Sequence, residues 1–498
     1  MEKSAPFLSV VAPVVSEVFV ALESAAIVAD VTLFLQAPDK KMTAASAGKD
    51  RNRIIVPIYS KLGAKRQLIM VSGAFDFLVS KLQFYLLLAV IGTTMVSWFQ
   101  LNSILIIVLA GCRLLQGGSI VPKLRRVFSD GRFLAFFALF LLEVVGLLHT
   151  HNPYIGWKHV ESKATLVAIP FIICSGPFAD GPGFSKLMWA YCRLLAVICL
   201  WCLGSAFVRY VQTGDAGEFF YHALTEPCQA NAVFFSAYVL MALLFLLSAG
   251  AGKERTWMLV FFTGIMVLLA SKLLLALLVI IFAVYLWRSR KAIPLWRSMG
   301  LALCLLLGTV LMASTNNPVV RRYKDIIAKE QTVDRRSVGH LYNGLSLRLF
   351  IWRTADDILN EHRAWLFGVS AGDSQDLLDE RYYRVGMNEG FLGYNFQNEY
   401  IELLVSSGCF GLAVFFGAMV LLCWAQRERA GSEGWFAIAV ILLLACTESS
   451  LEMQQPAFLS CFFPLLAWRN NAKFAEKHGR RDQMLVSLSA GLMYYGEA

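Results

Sequence analysis

Between residues 82 and 469 the chain returns repeatedly to apolar runs about the length of a membrane span. A helix needs roughly 20 mostly apolar residues, about 17–25, to cross the hydrocarbon core, where its backbone polar groups must be satisfied internally. Such runs lie near 82–100, 101–117, 132–150, 163–178, 188–210, 231–249, 256–270, 271–287, 299–315, 400–424, 434–450 and 455–469. They predict an all-α fold, a polytopic transmembrane helical bundle of about 12 spans. Composition separates this from a soluble alternative: 57% of the 498 residues are hydrophobic and 16% charged, whereas soluble domains are about a quarter charged. The cysteines fall mostly inside the apolar runs, with neither metal-ligand spacing nor a disulfide framework. Residues 1–36 lack the basic start of a cleavable signal segment, and Glu17, Glu23 and Asp30 interrupt their apolar patches.

One run, from Trp257 to Trp287, is too long for one ordinary helix and short for two. The positive-inside rule decides how to count it. With a cytoplasmic N-terminus and the run counted as a hairpin, Lys and Arg gather on one side, in 39–66, 118–131, 250–256, 288–298, 425–433 and the tail after 469. Loops 151–162 and 213–230, on the opposite side, carry little positive charge. The net charge of +10 is therefore mostly a topology signal. The expected organisation is a basic amphipathic cytoplasmic region over 1–80, suited to anionic membrane lipid. Spans 1–9 follow over 81–315, a large outer loop over 316–399, spans 10–12 over 400–470 and a cytoplasmic tail over 471–498.

The segment from Ser314 to Phe396 holds eleven Lys/Arg and eleven Asp/Glu. That balance excludes a one-sign surface for nucleic acid. Within it, Ser346 to Trp365 predicts an amphipathic helix: Leu347, Phe350, Ile351, Ala355, Ile358 and Leu359 recur at helical spacing against Arg353, Asp356, Asp357 and Glu361. A Gly-rich turn, Gly368 to Asp373, follows.

Ionisable groups inside spans cost about 2.5–3.5 kcal/mol each, so each calls for a reason. Lys272 sits at the hairpin tip, Glu448 and Glu452 at the outer end of the eleventh span, and His149 and His151 at the outer end of the third. Gln397 and Asn398 lead into the tenth. All converge on the side of the large loop, as an outward-facing active site would require. Plainer roles stand beside this one. His149-Thr-His151 has no third ligand and suits a solvated loop. Lys272 equally suits snorkelling to the interface. Glu448 and Glu452, one helical turn apart, equally suit bonds between helices, and Glu143 suits a structural polar contact. No phosphate-cradling loop, Ser-His-Asp set or zinc spacing stands out.

From about residue 340 onward the chain resembles the O-antigen ligase and O-antigen polymerase superfamily. The residues that carry this are Ser346-Leu-Arg348-Leu-Phe-Ile-Trp352, then Leu366-Phe-Gly-Val-Ser-Ala-Gly372-Asp373, then Phe396-Gln-Asn-Glu-Tyr400 running into Gly408-Cys-Phe-Gly411-Leu. Gly146 to Asn152 with Ile169-Pro170 resembles earlier spans of the family, and Glu448-Ser-Ser-Leu-Glu452 a late one. The resemblance implies a GT-C-like bundle with a large, partly helical periplasmic loop in the bacterial inner membrane. Both termini would be cytoplasmic and the active site periplasmic. It implies transfer of a glycan from an undecaprenyl-diphosphate carrier to lipid A-core or a glycan acceptor, with no nucleic acid, metal or cofactor, since diphosphate already leaves readily. Arg348 would clamp the departing diphosphate, because an arginine fork matches phosphate oxygens. Gln397 and Asn398 would complete the catalytic set, with Lys272, Trp352, Tyr400, Glu448 and Glu452 binding substrate.

Two positions depart from the family pattern. Gln397 stands where a histidine is usual, and Lys272 follows Ser271 where an arginine is frequent. Glutamine orients a hydroxyl but cannot take its proton. A histidine-free mechanism, substitution by Glu399 or another acid, and lost activity all stay open. Ligase and polymerase stand level, ahead of protein O-oligosaccharyltransferase. A polysaccharide exporter or flippase is the alternative from another class, but no internal repeat or matched pair of broken helices supports it.

Overall fold

The computed structural model describes residues 78–116, 119–175, 182–250, 252–289, 344–387, 389–427 and 433–466, and among these every regular element is helical. The expected span 299–315, residues 1–77, the tail 471–498 and the start of the large loop lie outside the described residues. The helices are α1 (Leu78–Met95), α2 (Phe99–Leu115), α3 (Ile120–Phe128), α4 (Gly131–Gly146), α5 (Pro153–Lys163), α6 (Thr165–Cys174), α7 (Pro182–Thr213) and α8 (Tyr221–Thr225). They continue with α9 (Ala232–Ser248), α10 (Lys253–Leu269), α11 (Lys272–Ser289), α12 (Gly344–Glu361), α13 (Ala371–Arg384), α14 (Glu399–Arg427) and α15 (Glu433–Ala445), and with α16 over 454–466.

Three helical stretches, Leu78–Met95, Gly183–Thr213 and Glu399–Trp424, are each long and apolar enough to cross a membrane, and counting two bent pairs as single spans makes five among the described residues. These support a helical membrane protein. Several of the remaining apolar runs form shorter helices, for sequence reasons that are local. The run 132–150 stops as helix at Gly146, and Asn152 then caps α5 by accepting from Ile155 N at 3.3 Å, with Pro153 at its first position. The long run 256–287 breaks at Ala270, which takes a left-handed φ of 49°, so that Lys272 opens α11.

The described chain divides into two compact units, residues up to Val90 with Ser103–Lys123, and Ile91–Asn102 with everything from Leu124 on. In the first, the buried Arg113 donates to Gln83 Oε1 at 3.4 Å and to Gln116 Oε1 at 3.0 Å. In the second, α9 is buried from Ala232 to Leu247 and apolar all round, as a helix enclosed by neighbours should be. α4 packs against α6 and α14, while α13 packs against α5, α12 and α14.

The amphipathic helix read from the sequence is present as α12. Leu347, Ile351, Ala355, Ile358 and Leu359 are buried, in a core with Leu378, Tyr382, Phe396 and Val405. Its polar face carries Arg353, Asp356, Asp357 and Glu361 to the surface. After it, residues 365–370 lie against a break in α14 at Gly408 (φ 66°, ψ −166°). Val369 N donates to Val405 O at 2.8 Å and Ser370 N to Ser406 O at 2.9 Å. In the reverse direction, Cys409 N donates to Trp365 O at 2.8 Å and Phe410 N to Leu366 O at 3.2 Å. A Cβ on Gly368 or Gly408 would fall well inside 3.0 Å of the opposing backbone, so the seam needs glycine on both sides.

Candidate functional site

Arg348 and Trp352 are four residues apart on α12 and therefore share a face. Across from them, the chain enters α14 through Gln397, whose φ of 48° is left-handed and uncommon for a residue with a side chain. Asn398 caps the helix, its Oδ1 accepting from Tyr400 N at 3.0 Å and Ile401 N at 3.2 Å, while its Nδ2 donates to Cys446 O at 3.1 Å. Trp352 Nε1 donates to Phe396 O at 3.1 Å, and Tyr400 Oη donates to Leu442 O at 2.9 Å.

Arg348 ties three elements together. Its Nε donates to Gln397 Oε1 at 3.1 Å, and its Nη2 donates to Thr447 O at 3.0 Å and to Glu448 Oε1 at 3.4 Å. Among the described residues its Nη1 has no hydrogen-bond partner, and the side chain is 28% exposed.

Six of the eight expected site residues therefore meet here: Arg348, Trp352, Gln397, Asn398, Tyr400 and Glu448. Lys272 is exposed at the start of α11. Glu452 faces a different partner set, and the reason is local. α15 ends at Ala445, so 446–453 is not helical, and Glu448 and Glu452 do not share a helix face.

Glu452 belongs to a buried ion cluster. Lys163 Nζ lies 2.7 Å from Glu143 Oε1 and 3.1 Å from Glu452 Oε1, with Lys163 and Glu143 each 2% exposed. His159 Nδ1 lies 3.2 Å from Glu452 Oε2. Burial alone would push the Glu452 carboxyl up, but Lys163 and His159 hold it below the ordinary carboxylate range. Burial pulls the other way on His159, and Glu452 outweighs it, leaving the imidazole above its ordinary value. Glu399 accepts from Leu451 N at 2.8 Å, and Glu402 accepts from Ser449 Oγ at 3.0 Å, so two further buried carboxylates anchor 446–453.

A third polar knot joins the 149–152 turn to α13. Asp373 accepts from Thr150 Oγ1 at 3.0 Å, His151 N at 2.9 Å and Asn152 N at 2.9 Å. Burial opposes ionisation there, yet these donors hold its carboxyl below the ordinary range. His149 and His151 line a cavity of about 730 Å³ with His362, Arg363, Asp376 and Glu380. Among the described residues, no group of three or more His, Cys, Asp or Glu has the arrangement of a metal site.

Residues 257–416 match the O-antigen ligase family model. The match supports the resemblance carried by the sequence and, with it, activity of the O-antigen ligase or polymerase type. It spans Lys272, Arg348, Trp352, Gln397, Asn398 and Tyr400, and stops before Glu448 and Glu452. No curated protein matches the chain significantly. Sequence reasoning missed Lys163 and His159, and took Asp373 only as part of a turn and of the family motif. Lys163 did carry a signal, being a cation at the head of one apolar run with an acid, Glu143, inside another.

Proposed function

We propose that the chain is an inner-membrane glycosyltransferase that moves a glycan from an undecaprenyl-diphosphate carrier onto an acceptor at the periplasmic face, as an O-antigen ligase or polymerase. The acceptor is lipid A-core in the first case and the next lipid-linked glycan in the second. The charge distribution supports a topology of about twelve spans with both termini cytoplasmic, which puts the large loop and Arg348 in the periplasm.

The observation that carries this reading is the guanidinium of Arg348, fixed by Gln397 and Thr447, with Nη1 bonded to none of the described residues. In the transfer, the acceptor oxygen attacks the anomeric carbon while the bond to the diphosphate oxygen breaks. Negative charge then builds on the departing diphosphate, where a preoriented arginine stabilises it. Gln397 and Asn398 offer amide groups to sugar hydroxyls. The left-handed backbone at Gln397 is the kind of strain a surrounding structure holds at a working site. Trp352 and Tyr400 supply aromatic surface for the sugar. Lys272, exposed on α11, is a candidate for a second contact to the diphosphate, whereas the partners of Glu452 favour a structural role for it.

The test is deletion of the gene in its native host, followed by analysis of surface polysaccharide and of undecaprenyl-linked glycans. Long polymer lost from the surface and accumulating on the carrier means ligase. Single repeat units left on the carrier mean polymerase. Complementation with Arg348→Ala or Arg348→Lys should reproduce the deletion, since lysine cannot donate along both edges at once. An unchanged profile in both fractions overturns the reading.

A further inference from the structure

Removal of a proton from the acceptor hydroxyl needs a base, and the residues around Arg348 narrow the choice. Gln397 and Asn398 are amides and accept no proton at neutral pH. Tyr400 has its hydroxyl engaged with Leu442 O. Four carboxylates surround this corner of the fold, and three of them are spent inward. Glu399, fully buried, holds Leu451 N; Glu402, 3% exposed, holds Ser449; Glu452 is gripped by Lys163 and His159. Glu448 differs. Its only side-chain partner among the described residues is Arg348, through a long contact of 3.4 Å, and it keeps 16% of its side chain exposed.

We propose that the Glu448 carboxylate takes the proton of the acceptor hydroxyl, acting as the base beside the Arg348 clamp. This rests on the glycan-transfer reading above. In the step, the acceptor O–H proton passes to a Glu448 oxygen as the O–C1 bond forms. The C1–O bond to diphosphate breaks, its electron pair leaves with the diphosphate, and Arg348 holds that charge. Glu448 then returns the proton to solvent or to the released diphosphate. Base and clamp lie on one guanidinium, so the same contact that orients the carboxylate sets it beside the leaving group. Among the described residues, the charged and titratable groups facing the 446–453 segment are Arg348 from α12, Glu399, Tyr400 and Glu402 from α14, and Lys163 and His159 from α5, the last two through Glu452.

The test uses full-length protein in detergent, with lipid-linked glycan and the glycolipid acceptor fraction both extracted from the deletion strain. Glu448→Gln should lower kcat by about 10²–10⁴-fold with little change in donor KM, and should abolish the acid limb of the kcat profile. Glu448→Asp, checked by its unfolding midpoint, should keep both partial activity and the limb. Gln397→His added to Glu448→Gln puts a base on the neighbouring edge of Arg348. It should raise kcat again, with a limb in the imidazole range of about 6.5. A loss expressed in donor KM alone would mean that Glu448 only positions Arg348 and would overturn the proposal, as would an undiminished kcat or an unchanged acid limb. Wild-type protein that transfers no glycan overturns the transfer reading itself, whereas wild-type transfer with fully active Glu448→Gln overturns this one only.

Discussion

Gly368→Ala isolates the seam between 365–370 and the break in α14. Two costs arise there. The first is conformational: alanine at φ 71° sits in the left-handed region at about 1–2 kcal/mol. The second is steric. The new Cβ would meet the backbone of Ser406 and Ser407, about 1 Å short of ordinary contact, and backbone cannot rotate away as a side chain could. Moving apart by that much breaks Val369 N→Val405 O and Ser370 N→Ser406 O, each about 1–3 kcal/mol when the donor is left unsatisfied. The expected loss is about 3–8 kcal/mol, a large share of the ~5–15 kcal/mol that holds a domain folded. Gly386→Ala is the control, because Gly386 has nearly the same φ, 68°, and nothing within 4 Å of its Cβ position; its loss should be about 1–2 kcal/mol. The assay is reaction of a thiol dye with the buried Cys174, Cys192, Cys199, Cys202, Cys228 and Cys461 as temperature rises in detergent. Equal midpoints for the two variants would refute the backbone-contact reasoning.

Lys163→Met leaves Glu143 and Glu452 without their shared cation, and should cost about 3–5 kcal/mol, seen as early unfolding in the same assay and partly recovered by adding Glu143→Leu. Asp373→Asn should lower the midpoint at neutral pH, because the folded-state pKa of Asp373 is depressed and its stabilisation is present above the ordinary carboxylate value of about 3.9. That gap should persist through mildly acidic pH and shrink only below the ordinary value; a gap already gone at pH 6 contradicts the clamp. Cys446 is exposed next to Asn398, so a membrane-impermeant maleimide should label it from the periplasmic side of spheroplasts, and Cys446→Ala should remove that share of label. Labelling that appears only after the inner membrane is opened would reverse the topology.

Local patterns carried well into the structure and distant pairings did not. α12 was legible because its apolar set repeats every three or four residues from Leu347 to Leu359, a period few other arrangements satisfy. α13 was not, since Leu377, Leu378 and Tyr382 are too few among charges to outweigh the Gly-rich turn that precedes them. Glu448 and Glu452 were placed on one helix face by their spacing. Arg348 and Glu399 instead take Thr447 O and Leu451 N, backbone groups that a helix there would need, while Glu402 holds the Ser449 hydroxyl. Gln397 and Glu448 were expected to converge from the side of the membrane they share, and Arg348 joined them only through the family resemblance. Their bonds reach across 49 and 100 residues, a separation that local spacing does not encode. The grip of Asp373 on the 150–152 turn is of the same kind.

The seam also fixes an order of events during synthesis. Residues 365–370 emerge about 40 positions before 405–410, which is a delay of roughly 2–8 s at the usual rate of translation. Throughout that interval the amides of Val369 and Ser370 and the carbonyls of Trp365 and Leu366 have yet to meet their partners. The polar segment can therefore close only after 405–410 have been made, so its completion waits on the chain that follows rather than on the segment's own folding.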